Sequence, residues 1–102
     1  MKLSILLTQN HRLLSVAAIL DVFETTNRCL EEENLEKLFD IQFIGLEPNL
    51  PFNFSKYPYR ILSEMNDKSD LIFIPAFGSD NMARTIQENV QFIGFLHQQF
   101  QM

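Results

Sequence analysis

The sequence has few of the residues that cross-links and common catalytic motifs require. Its only cysteine, Cys29, excludes a disulfide within the chain and fits a reducing compartment. Its three glycines, Gly45, Gly78 and Gly94, are isolated, which excludes a glycine-rich phosphate loop. The apolar start of the chain is too short for a membrane span or a signal peptide, so we expect a cytoplasmic protein that does not contact a membrane.

Positive charge is also scarce. Eight lysines and arginines stand against thirteen aspartates and glutamates, which gives a net charge of -5, and the basic residues are scattered singly. Because nucleic-acid binding needs clustered cations, we expect that this segment does not bind DNA directly. Hydrophobic residues make up 46% of the 102 positions, which is enough to form the core of one domain or of part of one.

The hydrophobic pattern of the first half predicts strand, helix and strand. Residues 2–8 are apolar on both faces, which is typical of a buried strand in a parallel sheet. Residues 13–32 have helical spacing, with Ser15 as the candidate N-cap, and residues 38–47 form the second strand. This order predicts a right-handed parallel crossover. The buried stripe of the helix is predicted to contain Leu13, Val16, Leu20 and Phe23.

The second half predicts one more long strand and a helical end. Prolines exclude a central strand at 48–64, which is predicted as an irregular excursion or a short edge hairpin. Residues 70–77 form the third strand, and residues 79–102 are helical, with Ser79 or Asp80 as N-cap and a second start at Asn89. The predicted apolar stripe of the last helix contains Val90, Ile93, Leu96 and Phe100.

These elements predict an α/β fold with a parallel sheet, a flavodoxin-like three-layer sandwich that is incomplete because no strand follows the last helix. The unpaired sheet edge and uncovered apolar face predict a homodimer. The last helix is the expected contact, because it has more apolar side chains than one stripe can bury: Phe92, Ile93, Phe95, Leu96 and Phe100.

Few residues are candidates for chemistry. Cys29 lies late in the first helix, ahead of three glutamates, which is not the cationic setting that activates a thiol. His11 and His97 have no second ligand at metal spacing, so neither a metal nor a cofactor is expected. His11 follows the first strand, where pockets of open α/β sheets lie, whereas His97 is expected at the surface or in an interface. The stretch DLIFIPAFGSDN (70–81) likewise ends at the carboxyl end of a strand.

Five segments together resemble the opening of a PfpI-like domain of the class I glutamine amidotransferase-like superfamily. They read KLSILLTQN, LLSVAAILDVFETTN, FDIQFIGLE, SDLIFIPAF and NVQFIGFLHQQF, and they are distributed from residue 2 to residue 100, so the resemblance spans nearly the whole chain. The resemblance is greatest to the N-terminal domains of AraC-type transcriptional regulators. The matching positions of the first helix are Leu14-Ser15, Ala17-Ala18, Asp21 and Asn27.

The resemblance implies a regulatory, sensor or dimerisation domain that contacts DNA only through a separate downstream domain. It also implies a small-molecule effector of unknown identity, with a pocket bordered by Asn10, His11, Ser15, Ala76, Phe77 and Gly78. Two departures favour a regulator over an enzyme. Ser15 stands where catalytic members carry Glu, and Ala76 follows Pro75 where they usually have Gly.

Two other functions stay open at this stage. One is a PfpI-like thiol hydrolase truncated before its nucleophile elbow, which in the family follows the last helix seen here. The other is a self-contained protein-interaction module that needs no pocket. The coding sequence beyond residue 102 would separate them, because a basic helix-turn-helix region supports a regulator and a Cys-His elbow supports an enzyme.

Overall fold

A computed structural model describes residues 1–48 and 56–101. The strands are β1 (Lys2–Leu7), β2 (Asp40–Gly45), β3 (Tyr59–Ile61) and β4 (Leu71–Phe73), and the helices are α1 (Leu13–Glu32), α2 (Met82–Glu88) and α3 (Val90–Gln101). The α/β class is confirmed. In the part of the chain that the structure describes, no helix has the length and apolar character needed to cross a membrane.

All pairs of neighbouring strands are parallel, and the sheet order is β3-β2-β1-β4. From β1 the chain adds β2 and then β3 on one side, and β4 returns to the other side of β1. The direction of winding therefore reverses between β1 and β4. In open α/β sheets, ligands bind beyond the carboxyl ends of the strands at such a reversal.

The sheet lies between two apolar cores, which confirms the three-layer arrangement. Successive side chains of a strand point to opposite faces. On one face Leu3, Ile5 and Phe43 pack with α1, and on the other Leu6 and Ile44 pack with α3. All five side chains are fully buried, and each contributes about 1.5–3 kcal/mol of transfer free energy.

Helix α1 has the predicted bounds, but its predicted N-cap is wrong. Arg12 occupies the N-cap position with extended dihedral angles and makes no side-chain capping bond. Ser15 lies inside the first turn, and its hydroxyl accepts a hydrogen bond from Ala76 N (2.9 Å) instead. Val16 is buried as predicted, whereas Leu13, the first residue of the helix, is 49% exposed. The other residues that pack on this core from α1 are Ile19, Leu20 and Phe23.

The helical end of the chain divides near the predicted position. Helix α2 ends at Glu88, and α3 begins after the turn at Asn89. The N-cap of α2 is Asn81, whose side chain accepts a hydrogen bond from Arg84 N (3.1 Å). The predicted caps are therefore wrong, since Asp80 precedes the cap position and the hydroxyl of Ser79 bonds to Thr85.

The predicted stripe of α3 is wrong except at Leu96, which packs against the core on that face of the sheet. Val90, Ile93 and Phe100 are 54%, 60% and 91% exposed, whereas Phe92 and Phe95 are buried against the sheet. Apolar side chains occur on two sides of this helix, and the side that carries Phe92 and Phe95 is the one that packs. Phe92 and Phe95 therefore cannot belong to a dimer contact, contrary to the expectation from the sequence.

The edge position predicted for residues 48–64 is confirmed, because β3 is an edge strand of the sheet. The hairpin predicted there is not found in the described residues. Strand β3 pairs in parallel with β2 at Phe43, Ile44 and Gly45, whereas a hairpin would be antiparallel. Residues 49–55 of that prediction lie outside the described part. Strand β4 is shorter than predicted and ends at Phe73. The chain then turns toward the loop after β1 and bonds to it.

A buried polar chain that the sequence analysis missed fastens α3 to the amino end of the sheet. Gln42 Nε2 donates to Ser4 Oγ (2.8 Å), which lies 2.6 Å from Ser69 Oγ. Ser69 N donates to Gln99 Oε1 (2.8 Å), and Gln99 Nε2 donates to Asp67 O (2.8 Å). These bonds satisfy polar groups that would be costly to bury alone.

Candidate functional site

The loops that follow β1 and β4 meet at the carboxyl end of the sheet. His11 and Phe77 form an antiparallel bridge. Gly78 N donates to Asn10 O (3.1 Å), and Arg12 N donates to Ala76 O (2.7 Å). With the bond from Ala76 N to Ser15 Oγ, these contacts bring all six predicted site residues together at the reversal between β1 and β4.

The conformation of the β1 loop depends on two of these residues. Asn10 has a φ of 60°, a left-handed conformation that asparagine tolerates better than most residues. The main-chain N and the Nδ1 of His11 both donate to Thr8 O, at 3.2 and 2.7 Å. The loop therefore holds a tight turn directly after β1.

The junction between α2 and α3 holds the same loop from its other side. Asn89 Oδ1 accepts from Gln9 N (2.6 Å), and Asn89 Nδ2 donates to Gln9 O (3.0 Å) and to Thr85 O (3.0 Å). Thr85 Oγ1 accepts from Asn10 Nδ2 (3.0 Å). Asn89 and Thr85 are 7% and 1% exposed. Neither role was predicted from the sequence, because the burial of these two side chains depends on tertiary packing.

A pocket of about 170 Å³ opens beside this loop, at the carboxyl ends of β1 and β2. Asn10 and His11 line it, whereas Ser15, Ala76, Phe77 and Gly78 are outside its lining and hold the loops together. The remaining lining residues are Leu7, Thr8, Gln9, Leu46, Glu47 and Tyr59.

Glu47 and Tyr59 add a carboxylate and a phenol to the polar lining of this pocket. The Tyr59 hydroxyl donates to Glu47 O (2.6 Å). Burial raises the pKa of Tyr59 above its ordinary value, and the nearby charge of Glu47 raises it further. Gly45 lies under the Tyr59 ring, and a Cβ at this position would overlap the phenol. The pocket therefore combines a carboxylate, a neutral phenol and the polar loop after β1.

A larger pocket, of about 550 Å³, lies at the opposite end of β2. Its charges are mixed, and two pairs are in contact: Lys37 with Asp40 (3.4 Å) and Lys56 with Glu24 (3.8 Å). Asn27, a position of the family resemblance, lines this pocket, and its Oδ1 accepts from the main-chain N of residues 38 and 39. Asn27 thus fixes the entry into β2, which is a structural role.

Neither Cys29 nor His97 belongs to the site at the carboxyl ends of the strands. Both are exposed. Cys29 lies fourteen residues beyond Ser15 on α1, which separates them by about 21 Å along the helix axis. Among the residues that the structure describes, no group of three or more His, Cys, Asp or Glu side chains could hold a metal ion.

Comparison of this chain with protein-family models, with curated proteins and with solved structures found no match. The proposals that follow therefore rest on the sequence motifs and on the geometry described above.

Proposed function

We propose that this chain is the N-terminal portion of a PfpI-like regulatory domain of a cytoplasmic AraC-type transcriptional regulator, and that it binds a small-molecule effector. The observation that carries the proposal is the position of the candidate residues. Asn10, His11 and Ala76–Gly78 come from two distant loops and meet where the winding of the sheet reverses. This is the position at which open α/β sheets bind ligands.

The neighbouring pocket limits the size of the effector. Its volume of about 170 Å³ is close to that of a cavity of about 150 Å³ that holds one benzene molecule. The effector is therefore a compact molecule. The Glu47 carboxylate at the rim favours a group that donates hydrogen bonds or carries positive charge.

Two features support a regulatory function over a hydrolytic one. The Ser15 hydroxyl, at the position where catalytic relatives of the resembling family carry Glu, is bonded to Ala76 N. The only thiol, that of Cys29, lies at the far end of α1. Nucleophilic catalysis needs a base within hydrogen-bond reach of the nucleophile. The chain is thus proposed to have no catalytic activity of its own, to act as a homodimer and to reach DNA through a downstream domain.

A thermal-shift screen of the 102-residue chain tests effector binding. The panel contains amino acids, short carboxylic acids, amines and small sugars. We expect at least one compound to raise the melting temperature in the wild type and to do so less in Glu47→Gln. Glu31→Gln is the matched control, because Glu31 is an exposed glutamate that lines the opposite pocket. A panel without any stabilising compound, or equal shifts in all three proteins, contradicts the proposed site.

The regulator assignment has a separate test. We expect the coding sequence that follows the codon for Met102 to complete the α/β domain and then to encode a basic helix-turn-helix region. A Cys-His elbow followed by a stop codon would instead favour the thiol hydrolase.

A further inference from the structure

Helices α2 and α3 carry a second apolar surface that does not face the sheet. Ile86, Val90, Ile93 and Phe100 each follow directly after a buried residue, so they lie about 100° around the helix from the buried side. Their exposed fractions are 54%, 54%, 60% and 91%. We name these four residues the apolar flank. They are spaced by three, four or seven residues, so they lie on one side of the helical segment, with the exposed His97 between Ile93 and Phe100.

The turn at Asn89 does not interrupt the apolar flank. Asn89 N donates to Ile86 O (3.1 Å), and Phe92 N donates to Asn89 O (3.0 Å), so helical turns continue across the junction. A Cβ at Gly94, next to Ile93, would meet no atom within 4 Å. The middle of the apolar flank is therefore open to a partner.

The charge distribution separates the apolar flank from the rest of the molecule. Residues 81–102 contain one positive and one negative side chain, Arg84 and Glu88, which pair with each other at 2.9 Å. Residues 1–80 contain the other seven positive and twelve negative side chains, and hence the whole net charge of -5. A contact between two copies through the apolar flank therefore brings no net charge together.

We propose that the apolar flank docks a second copy of this chain. The cores of protein interfaces are depleted of charge and enriched in aromatic and large aliphatic side chains, as this stripe is. A two-fold pairing places the same neutral stripe on both sides of the contact. Phe100, at the end of α3, is the expected anchor residue, because a large exposed ring gains most from burial. The inference rests on the proposed self-association and not on the proposed effector site.

Sedimentation velocity of the 102-residue chain across a concentration range tests this docking. We expect a reversible dimer whose dissociation constant rises more than about tenfold in Ile93→Asp. The matched control is Val22→Asp on α1, because Val22 is 59% exposed, compared with 60% for Ile93. We expect this variant to dimerise like the wild type. Circular dichroism of both variants verifies that each stays folded.

Phe100→Ala provides a second variant that removes apolar surface without adding charge. Weakened dimers in Ile93→Asp and Phe100→Ala, with a wild-type dimer in Val22→Asp, support the proposal. If Ile93→Asp and Phe100→Ala both leave the dimer unchanged, the apolar flank is not the contact surface, although the chain does self-associate. The same holds if Val22→Asp weakens the dimer as much as they do. A wild-type chain that is monomeric at every concentration, or that associates without defined stoichiometry, overturns both the contact surface and the self-association.

Discussion

Asn89 joins three parts of the molecule through one side chain. Its amide pairs with both main-chain polar groups of Gln9, as a neighbouring strand would, and also with Thr85 O in the middle of α2. Gln9 lies in the loop that carries Asn10 and His11. The position of the candidate site therefore depends on an asparagine in the helical segment eighty residues away.

We expect Asn89→Ala to lower the free energy of unfolding by about 1–3 kcal/mol, because it leaves partly buried polar groups of Gln9 without their partners. Urea denaturation followed by circular dichroism measures this loss. Gln91→Ala, an exposed change at the start of α3, is the control and should alter stability by less than about 0.5 kcal/mol. Equal effects of the two substitutions would show that the hydrogen bonds between Asn89 and the main chain of Gln9 do not stabilise the fold.

The two tyrosines give the fold a dependence on alkaline pH. Burial, a hydrogen bond with Glu24 and the charge of Glu24 raise the pKa of Tyr57 from 10.0 to about 12, and burial and Glu47 raise the pKa of Tyr59. Because the folded state favours the neutral phenols, their stabilisation is complete below pH 10.0, the unfolded value, and is lost as the pH rises toward about 12.

We therefore expect tyrosinate absorbance of the folded chain to appear at higher pH than in the urea-unfolded chain. In Tyr57→Phe the remaining signal belongs to Tyr59, and in Glu24→Gln the Tyr57 titration should move to lower pH, because the substitution removes a negative charge. Coincident titrations of the folded and unfolded chains would contradict the proposed environment of both phenols.

At the scale of elements, strong local patterns were predictable and packing choices were not. The bounds of α1 were predicted correctly because twenty residues keep helical spacing without glycine or proline. The buried side of α3 was not, because Val90, Ile93 and Phe100 form as regular a stripe as Phe92 and Phe95 do. Packing against the sheet determines which of the two stripes is buried. Gln99 lies on the stripe that packs, where it bonds to Ser69 and Asp67.

The two sides of α3 should respond differently to the same truncation. We expect Phe95→Ala to cost about 3–5 kcal/mol, since the ring is 6% exposed and its removal leaves a cavity. Ile93→Ala should change the stability of the monomer by less than about 0.5 kcal/mol. Urea denaturation at a concentration low enough to avoid association measures both, and a larger cost for Ile93→Ala would reverse the orientation of α3.

At the scale of the whole molecule, the contact between the loops after β1 and β4 was predictable from topology. These loops were expected to carry the candidate site, because carboxyl ends of parallel strands meet at one edge of the sheet. The roles of Glu47, Tyr59 and Thr85 were not predictable. They depend on the position of β3 beside β2 and on the docking of α2 over the β1 loop, and both are tertiary features with no local sequence signal.

The charge of the whole chain leads to a final prediction, that it does not bind DNA at physiological salt. The structure strengthens the argument from net charge, because several basic residues of the described part of the chain lie within 4.0 Å of a carboxylate, among them Lys2, Lys37, Lys56, Arg60 and Arg84. Neighbouring carboxylates offset part of their charge, with Lys2 and Arg60 sharing Asp67, and the pairs are spread over several elements. These cations therefore do not form the cluster that releases counterions from neighbouring phosphates. Fluorescence anisotropy of a labelled duplex should stay constant up to low micromolar protein.

A chain in which Glu31, Glu32 and Glu33 are all changed to Lys is the positive control, because it gathers three exposed cations at the end of α1 and should acquire weak binding that salt abolishes. Salt-sensitive binding by the wild type at those concentrations would contradict the prediction and would remove the need for a downstream DNA-binding domain.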